Sequence, residues 1–177
     1  MKFATFTTSN NKLPRYGFKK GNYIVDILHL SKFFEEKNKD ERFINLPSSL
    51  KSCLKNWKEN FEKFKELDKA LINENIDSTT KEGFRIAQLE SELNFLAPVP
   101  NPQSFRDFYA FEQHVRSARK LRGLDMHPDW FRIPIFYFSN AAAIYGHGAT
   151  IPYPFGTKEL DFELEFAVII ANGGSNI

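Results

Sequence analysis

Leu96-Ala97-Pro98-Val99-Pro100-Asn101-Pro102 constrains the fold more than any other stretch of this chain. Three prolines within five residues remove backbone donors and push the residues before them out of the helical region. The path is therefore extended, and neither a helix nor an ordinary ladder strand can run through it. This divides the chain. Residues 1–96 read as a small N-terminal cap domain and residues 97–177 as the domain that carries chemistry.

The cap begins β-rich. Lys2–Thr8 has strand character, and Arg15–Phe18 and Tyr23–Ile27 flank Lys19-Lys20-Gly21-Asn22, a hairpin turn signal because Gly and Asn tolerate positive φ. Two strands are marginal alone, so this unit must lean on something else. From Ser31 the apolar period changes. Ser31 is expected to cap a short helix through Lys37. After Pro47-Ser48-Ser49 a longer helix is expected, with Leu50, Leu54, Trp57, Phe61, Phe64, Leu67 and Leu71 at steps of three or four. That stripe is a core face. Asp77–Gly83 reads as a loop, and the period of Phe84–Leu96 fits strand or helix equally.

Beyond the prolines, Ser104–Lys120 is expected to be helical. Asp107 would then sit near the positive helix end, with His114 two turns further along the same side. An N-capping aspartate followed by a surface histidine is the plain alternative. The basic run Arg116, Arg119, Lys120, Arg122 reads as a solvated face or the rim of a site for an anionic substrate. Trp130–Ser139 reads as a buried aromatic strand, and Gly146, Gly148, Pro152, Pro154 and Gly156 mark turns. In Glu159–Ile170, Asp161, Glu163 and Glu165 fall on one face at period two, and Leu160, Phe162, Leu164 and Phe166 on the other. Carboxylates roughly 7 Å apart along a strand face repel unless water or a cation lies between them. Either a wetted surface or a hard oxygen-seeking ion such as Mg²⁺ or Ca²⁺ satisfies that pattern. Asn172–Ser175 signals a reversal, so these residues are expected to be the front part of a longer catalytic domain.

Composition narrows the function classes. A chain of 177 residues with 42% hydrophobic and 26% charged residues is globular. A net charge of +2 is too small to point to nucleic acid or a membrane surface. One cysteine, Cys53, excludes an internal disulfide framework and a thiolate zinc cluster and suits a reducing cytosol. No apolar run has signal-peptide or membrane-spanning length, so a cytoplasmic protein is expected.

Asp107-Phe108-Tyr109 followed by Gln113-His114, then His127-Pro128-Asp129-Trp130, Ile133-Pro134 with Tyr137, and finally Glu159–Glu165, resembles the fumarylacetoacetate hydrolase family in order and rough spacing. The likeness covers about residues 96–172, and the Asp-Phe-Glu-Leu-Glu run is its most specific part. It implies an α+β chain: the β-rich cap with its helical insertion, then the first part of a mixed β-sandwich roll. It also implies a homodimer and a divalent cation, Mg²⁺ or Ca²⁺, held by Asp107, Glu163 and Glu165. His114 falls where the family activates water, and Tyr137 and Arg122 where it binds substrate. The implied substrate is a fumarylacetoacetate-like or acylpyruvate-like diketo acid, cleaved at a carbon–carbon bond. After Tyr137 stands Phe138-Ser139-Asn140 where members acting on fumarylacetoacetate carry His-Gly-Arg, which leaves the particular acid open. The family's last metal aspartate and a lysine fall beyond residue 177, so the resemblance implies a site completed elsewhere. A catalytically inactive family member acting as an association module is the alternative.

Overall fold

Phe3–Thr8 (β1), Arg15–Lys20 (β2) and Tyr23–Asp26 (β3) form an antiparallel meander in the computed structural model, which describes residues 1–176. The two-residue turn between β2 and β3 requires Gly21 at φ 59°, a conformation in which a Cβ is strained. Residues 84–96 resolve the helix-or-strand ambiguity in favour of strands. Ala87–Leu89 (β4) pairs with β3 and Leu93–Leu96 (β5) with β1, giving the antiparallel order β4-β3-β2-β1-β5. Both are short, and the neighbour's free ladder groups decide their conformation where local period does not.

Helices cover this sheet. Ile27–Asn38 (α1) starts earlier than its sequence pattern suggests: Asp26 is the cap, accepting from the Leu28 and His29 amides, and not Ser31. Ser31 lies within the helix and donates instead to the Phe43 carbonyl at 2.6 Å. The long helix is also interrupted. Leu50–Cys53 (α2) is capped by Ser49 as expected, a 3-10 turn spans Leu54–Asn56, and Trp57–Leu71 (α3) follows. The buried Asn60 amide donates to the Cys53 carbonyl at 3.0 Å, occupying an acceptor that a continuous helix would use for its own ladder. Phe64, Leu67 and Leu71 bury the expected stripe against Tyr16, Phe18 and Val25. Phe3, Trp57, Phe61 and Phe64 pack as edge-on, tilted and stacked rings, which accounts for part of the chain's 19 phenylalanines.

The chain separates into two units, one comprising Met1–Pro100 with the residues from Tyr145 on, the other Asn101–Ile144. In the first, Thr5 Oγ1 donates to the Pro98 carbonyl at 2.6 Å and holds the extended proline stretch beside β1. In the second, Phe105–Phe108 (β6) pairs antiparallel with Phe136–Ser139 (β7), and Glu112–Leu121 (α4) lies between them in sequence. Two expectations are corrected here. Asp107 belongs to a strand and not to a helix, because Phe105-Arg106-Asp107-Phe108 finds its ladder on β7 and the helix begins only at Glu112. Trp130–Ser139 is neither one strand nor buried. Pro128–Phe131 makes a 3-10 turn, Pro134 carries no donor, and β7 starts at Phe136 with Tyr137 and Phe138 exposed.

A third correction concerns residues 159–170. Among the described residues they have no ladder partner and are assigned no strand, and Phe162, Leu164 and Phe166 are 85–94% exposed. Alternation prepares a segment for a sheet, but the hydrogen bonds that make it a strand belong to its neighbour. Among the described residues no helix is long and apolar enough to cross a membrane.

Candidate functional site

The second unit gathers four of the residues singled out from sequence. Register pairs Asp107 on β6 directly with Tyr137 on β7, and both project to the side of the ribbon that carries Phe105 and Ser139. Asp107 is half-buried while Tyr137 is 72% exposed. On the opposite side the Arg106 guanidinium lies over the Phe136 and Phe138 rings, 5.3 and 5.0 Å from their centroids. That stacking lies on the aromatic face and leaves the Asp107–Tyr137 side free of it.

His114 stands in the first turn of α4, exposed at the surface. Phe111 occupies the N-cap without a side-chain capping bond, and in the first turn Val115 is buried. The turn before it is held by backbone bonds. There the Tyr109 amide donates to the Ile135 carbonyl at 3.2 Å and the Ala110 amide to the Phe108 carbonyl at 2.9 Å. The Tyr109 ring meets the His114 imidazole edge-on, centroids 6.1 Å apart and planes at 89°. The place of Tyr109 beside His114 has no spacing signal in the sequence, since the turn at 109–111 breaks the helical period.

Arg122 ends α4, and its Nε donates to the Ala118 carbonyl at 3.1 Å. It is exposed, as are Arg116 and Lys120. Of the basic run, Arg116 is paired with Glu112 on its own helix at 2.6 Å and Arg119 donates to the Asp125 carbonyl, so part of its charge is spent locally.

Glu163 and Glu165 belong to the first unit, in the stretch without a ladder partner described above, and both are exposed. Asp107, Glu163 and Glu165 offer only carboxylate oxygens, the donor type that Mg²⁺ and Ca²⁺ take. Among the described residues, however, no three His, Cys, Asp or Glu side chains are grouped so as to hold a metal ion. The donor chemistry suits the ion. An open cavity of 840 Å³ in the first unit is lined by Asn22, Glu90, Asn94, Phe95 and His147 among others, and by none of the expected site residues.

Comparison with known proteins bears on what this arrangement is for. Residues 103–177 match the family described as fumarylacetoacetate (FAA) hydrolase C-terminal. Through this segment the chain is similar to the fumarylacetoacetate hydrolase family. It is similar to the fumarylacetoacetase of Rattus norvegicus, 23% identical over 198 aligned positions that cover 97% of this chain and 46% of the relative. The fumarylacetoacetase of Arabidopsis thaliana is 34% identical over 86 positions, covering 39% of this chain and 20% of the relative. That of Oryza sativa subsp. japonica is 29% identical over 100 positions, covering 47% and 23%. The chain thus spans less than half the length of the curated relatives it matches. The five motifs that carry the resemblance all fall within the matched segment.

Proposed function

We propose that this chain forms part of a hydrolase that cleaves a carbon–carbon bond in a fumarylacetoacetate-like or acylpyruvate-like diketo acid. The observation that carries the reading is His114, an exposed imidazole beside the Tyr109 ring, within the segment that matches the FAA hydrolase family. A neutral imidazole at the surface of a helix start can take a proton from water near neutral pH. The hydroxide so formed adds to a carbonyl carbon of the acid. The bond to the carbon between the two carbonyls then breaks, and its electrons leave with that carbon as an enolate. The proton held on His114 returns to the enolate carbon, so water is consumed and two products result. Tyr137, opposite Asp107, offers a hydroxyl to the substrate, and Arg122 offers a cation to its carboxylate. A divalent ion on Asp107, Glu163 and Glu165, Mg²⁺ or Ca²⁺, would polarise the diketone oxygens and stabilise the charge that develops on the departing enolate. The mixed β-sandwich roll, the homodimer and the cytoplasmic setting belong to the same proposal.

The test is turnover of fumarylacetoacetate and of a small acylpyruvate panel, followed by loss of the diketone absorbance, with Mg²⁺ or Ca²⁺ added and with chelator. Turnover is expected with the ion, and His114→Ala is expected to abolish it while leaving ion affinity, read by calorimetry, largely intact. Turnover retained in His114→Ala would remove this histidine from the chemistry. A second reading, a catalytically inactive association module, is favoured by the exposure of Phe162, Leu164 and Phe166. It predicts self-association by size exclusion with no turnover of any acid in the panel.

A further inference from the structure

His127-Pro128-Asp129-Trp130 is a motif of the matched segment to which the proposed reaction gives no task. Its geometry is specific. His127 accepts from the Asp129 amide and opens the 3-10 turn Pro128–Phe131, in which Trp130 is half-buried. The indole N–H donates to the Tyr109 carbonyl at 2.7 Å. Tyr109 is therefore tied at both backbone groups to the segment after α4: its amide to Ile135 and its carbonyl to Trp130. The Phe131 ring packs edge-on against Trp130 at 4.9 Å, and the Arg116 guanidinium lies 6.0 Å over Phe131, so the same turn touches α4 two residues beyond His114.

We propose that Trp130 is a positioning residue for His114: its indole bond to the Tyr109 carbonyl locks the turn that places the Tyr109 ring against the imidazole. The inference rests on the reading of His114 as the base. Phe111 gives the first turn of α4 no side-chain cap, so its entry angle depends on the turn at Tyr109–Phe111 together with the buried Val115. Releasing the carbonyl would let the Tyr109 ring and the imidazole turn together. A base displaced by even a fraction of an ångström loses much of its advantage, because its efficiency depends on alignment with the attacking water.

The experiment uses the full chain and three NMR and kinetic readouts. In the native protein the Trp130 indole N–H should exchange with solvent about tenfold or more slowly than a free indole, as a bonded, half-buried donor does. Trp130→Phe keeps an aromatic ring and removes only the donor. It should shift the His114 ring resonances and lower kcat on fumarylacetoacetate about tenfold, the usual cost of losing an orienting bond, with KM within about twofold. Tyr109→Leu, which keeps the backbone bond and removes the ring, should shift His114 in the same way while leaving the indole protected. This second variant decides the matter if Trp130→Phe does not fold. Rapid indole exchange in the native protein, or His114 resonances unmoved in both variants, would overturn the proposal. Failure of the proposed reaction shows differently, as no turnover in the native chain or full turnover in His114→Ala, with the indole protected and the His114 shifts intact.

Discussion

Asp107 and Tyr137 face each other across the β6–β7 ladder, one half-buried and the other 72% exposed. A hydroxyl so exposed adds little to the fold, since surface changes away from special features stay within about 0.5 kcal/mol. Tyr137→Phe should therefore leave the urea unfolding midpoint unchanged. If the hydroxyl meets substrate, its loss removes one hydrogen bond, about 1 kcal/mol, and KM for the diketo acid should rise roughly fivefold. An unchanged KM alongside a lowered midpoint would assign Tyr137 to the ribbon and not to the substrate.

Asp26 has two tasks in the first unit. At 1% exposure it pairs with Arg15, which reaches it with two guanidinium nitrogens from the diagonal position on β2, and it caps α1 through Leu28 and His29. Removing one member of a buried pair strands the other charge. Asp26→Ala is expected to cost about 3–5 kcal/mol, the range for breaking such a pair. Asp26→Asn keeps the capping oxygen and should recover about 1 kcal/mol of that loss. Equal urea midpoints for the two variants would show that the cap contributes nothing.

His29 sets a pH dependence that is separate from the candidate site. Its Nδ1 lies 3.0 Å from the Arg85 carbonyl and 3.6 Å from Asp26, and its ring stacks on Phe84 at 4.9 Å. Burial lowers its pKa below the usual 6.5, more than the nearby Asp26 carboxylate raises it. The unfolded chain then binds the proton more readily than the fold does. Stability is complete above pH 6.5 and declines as pH falls from there through the depressed folded value. His29→Gln should flatten that decline in urea midpoints measured between neutral and mildly acidic pH. A parallel decline in the variant would place the proton elsewhere.

What could be read from the sequence divides along the range of the forces involved. The β2–β3 turn was legible because Gly21 must take positive φ, and the α3 stripe because Phe64, Leu67 and Leu71 repeat at helical spacing. The cap of α1 was misplaced because Asp26 closes a strand and opens a helix at once, and pattern alone assigns it to the strand. Asp107 was placed in a helix because Phe105–Phe111 carries no local signal against one; β7, about thirty residues away, decides otherwise. The pairing of Trp130 with Tyr109 likewise joins 21 positions. Residues 159–170 show the converse, a strand pattern with no ladder among the described residues. Chemistry-bearing residue types were visible, while the grouping of carboxylates that a metal needs is a tertiary property that alternation cannot supply.

Gly17 offers the sharpest test of the first unit's sheet. It lies in β2 opposite Asp26, and a Cβ built there would stand 2.1 Å from the Val25 carbonyl oxygen and 2.9 Å from its carbon. Both obstacles are main chain, so no side chain can swing aside, and relief requires β3 to move. Val25 is fully buried and packs within the core with Phe18 and Ile27, which resists that movement. Gly17→Ala should therefore cost at least the 1–3 kcal/mol typical of an overpacked core. Gly21→Ala, where a Cβ meets nothing within 4 Å but φ is 59°, should cost about 1 kcal/mol, the ordinary left-handed penalty. The order of the two urea midpoints is the readout: Gly17→Ala must lie below Gly21→Ala, and the reverse order would mean that β2 and β3 do not approach as closely as the ladder places them.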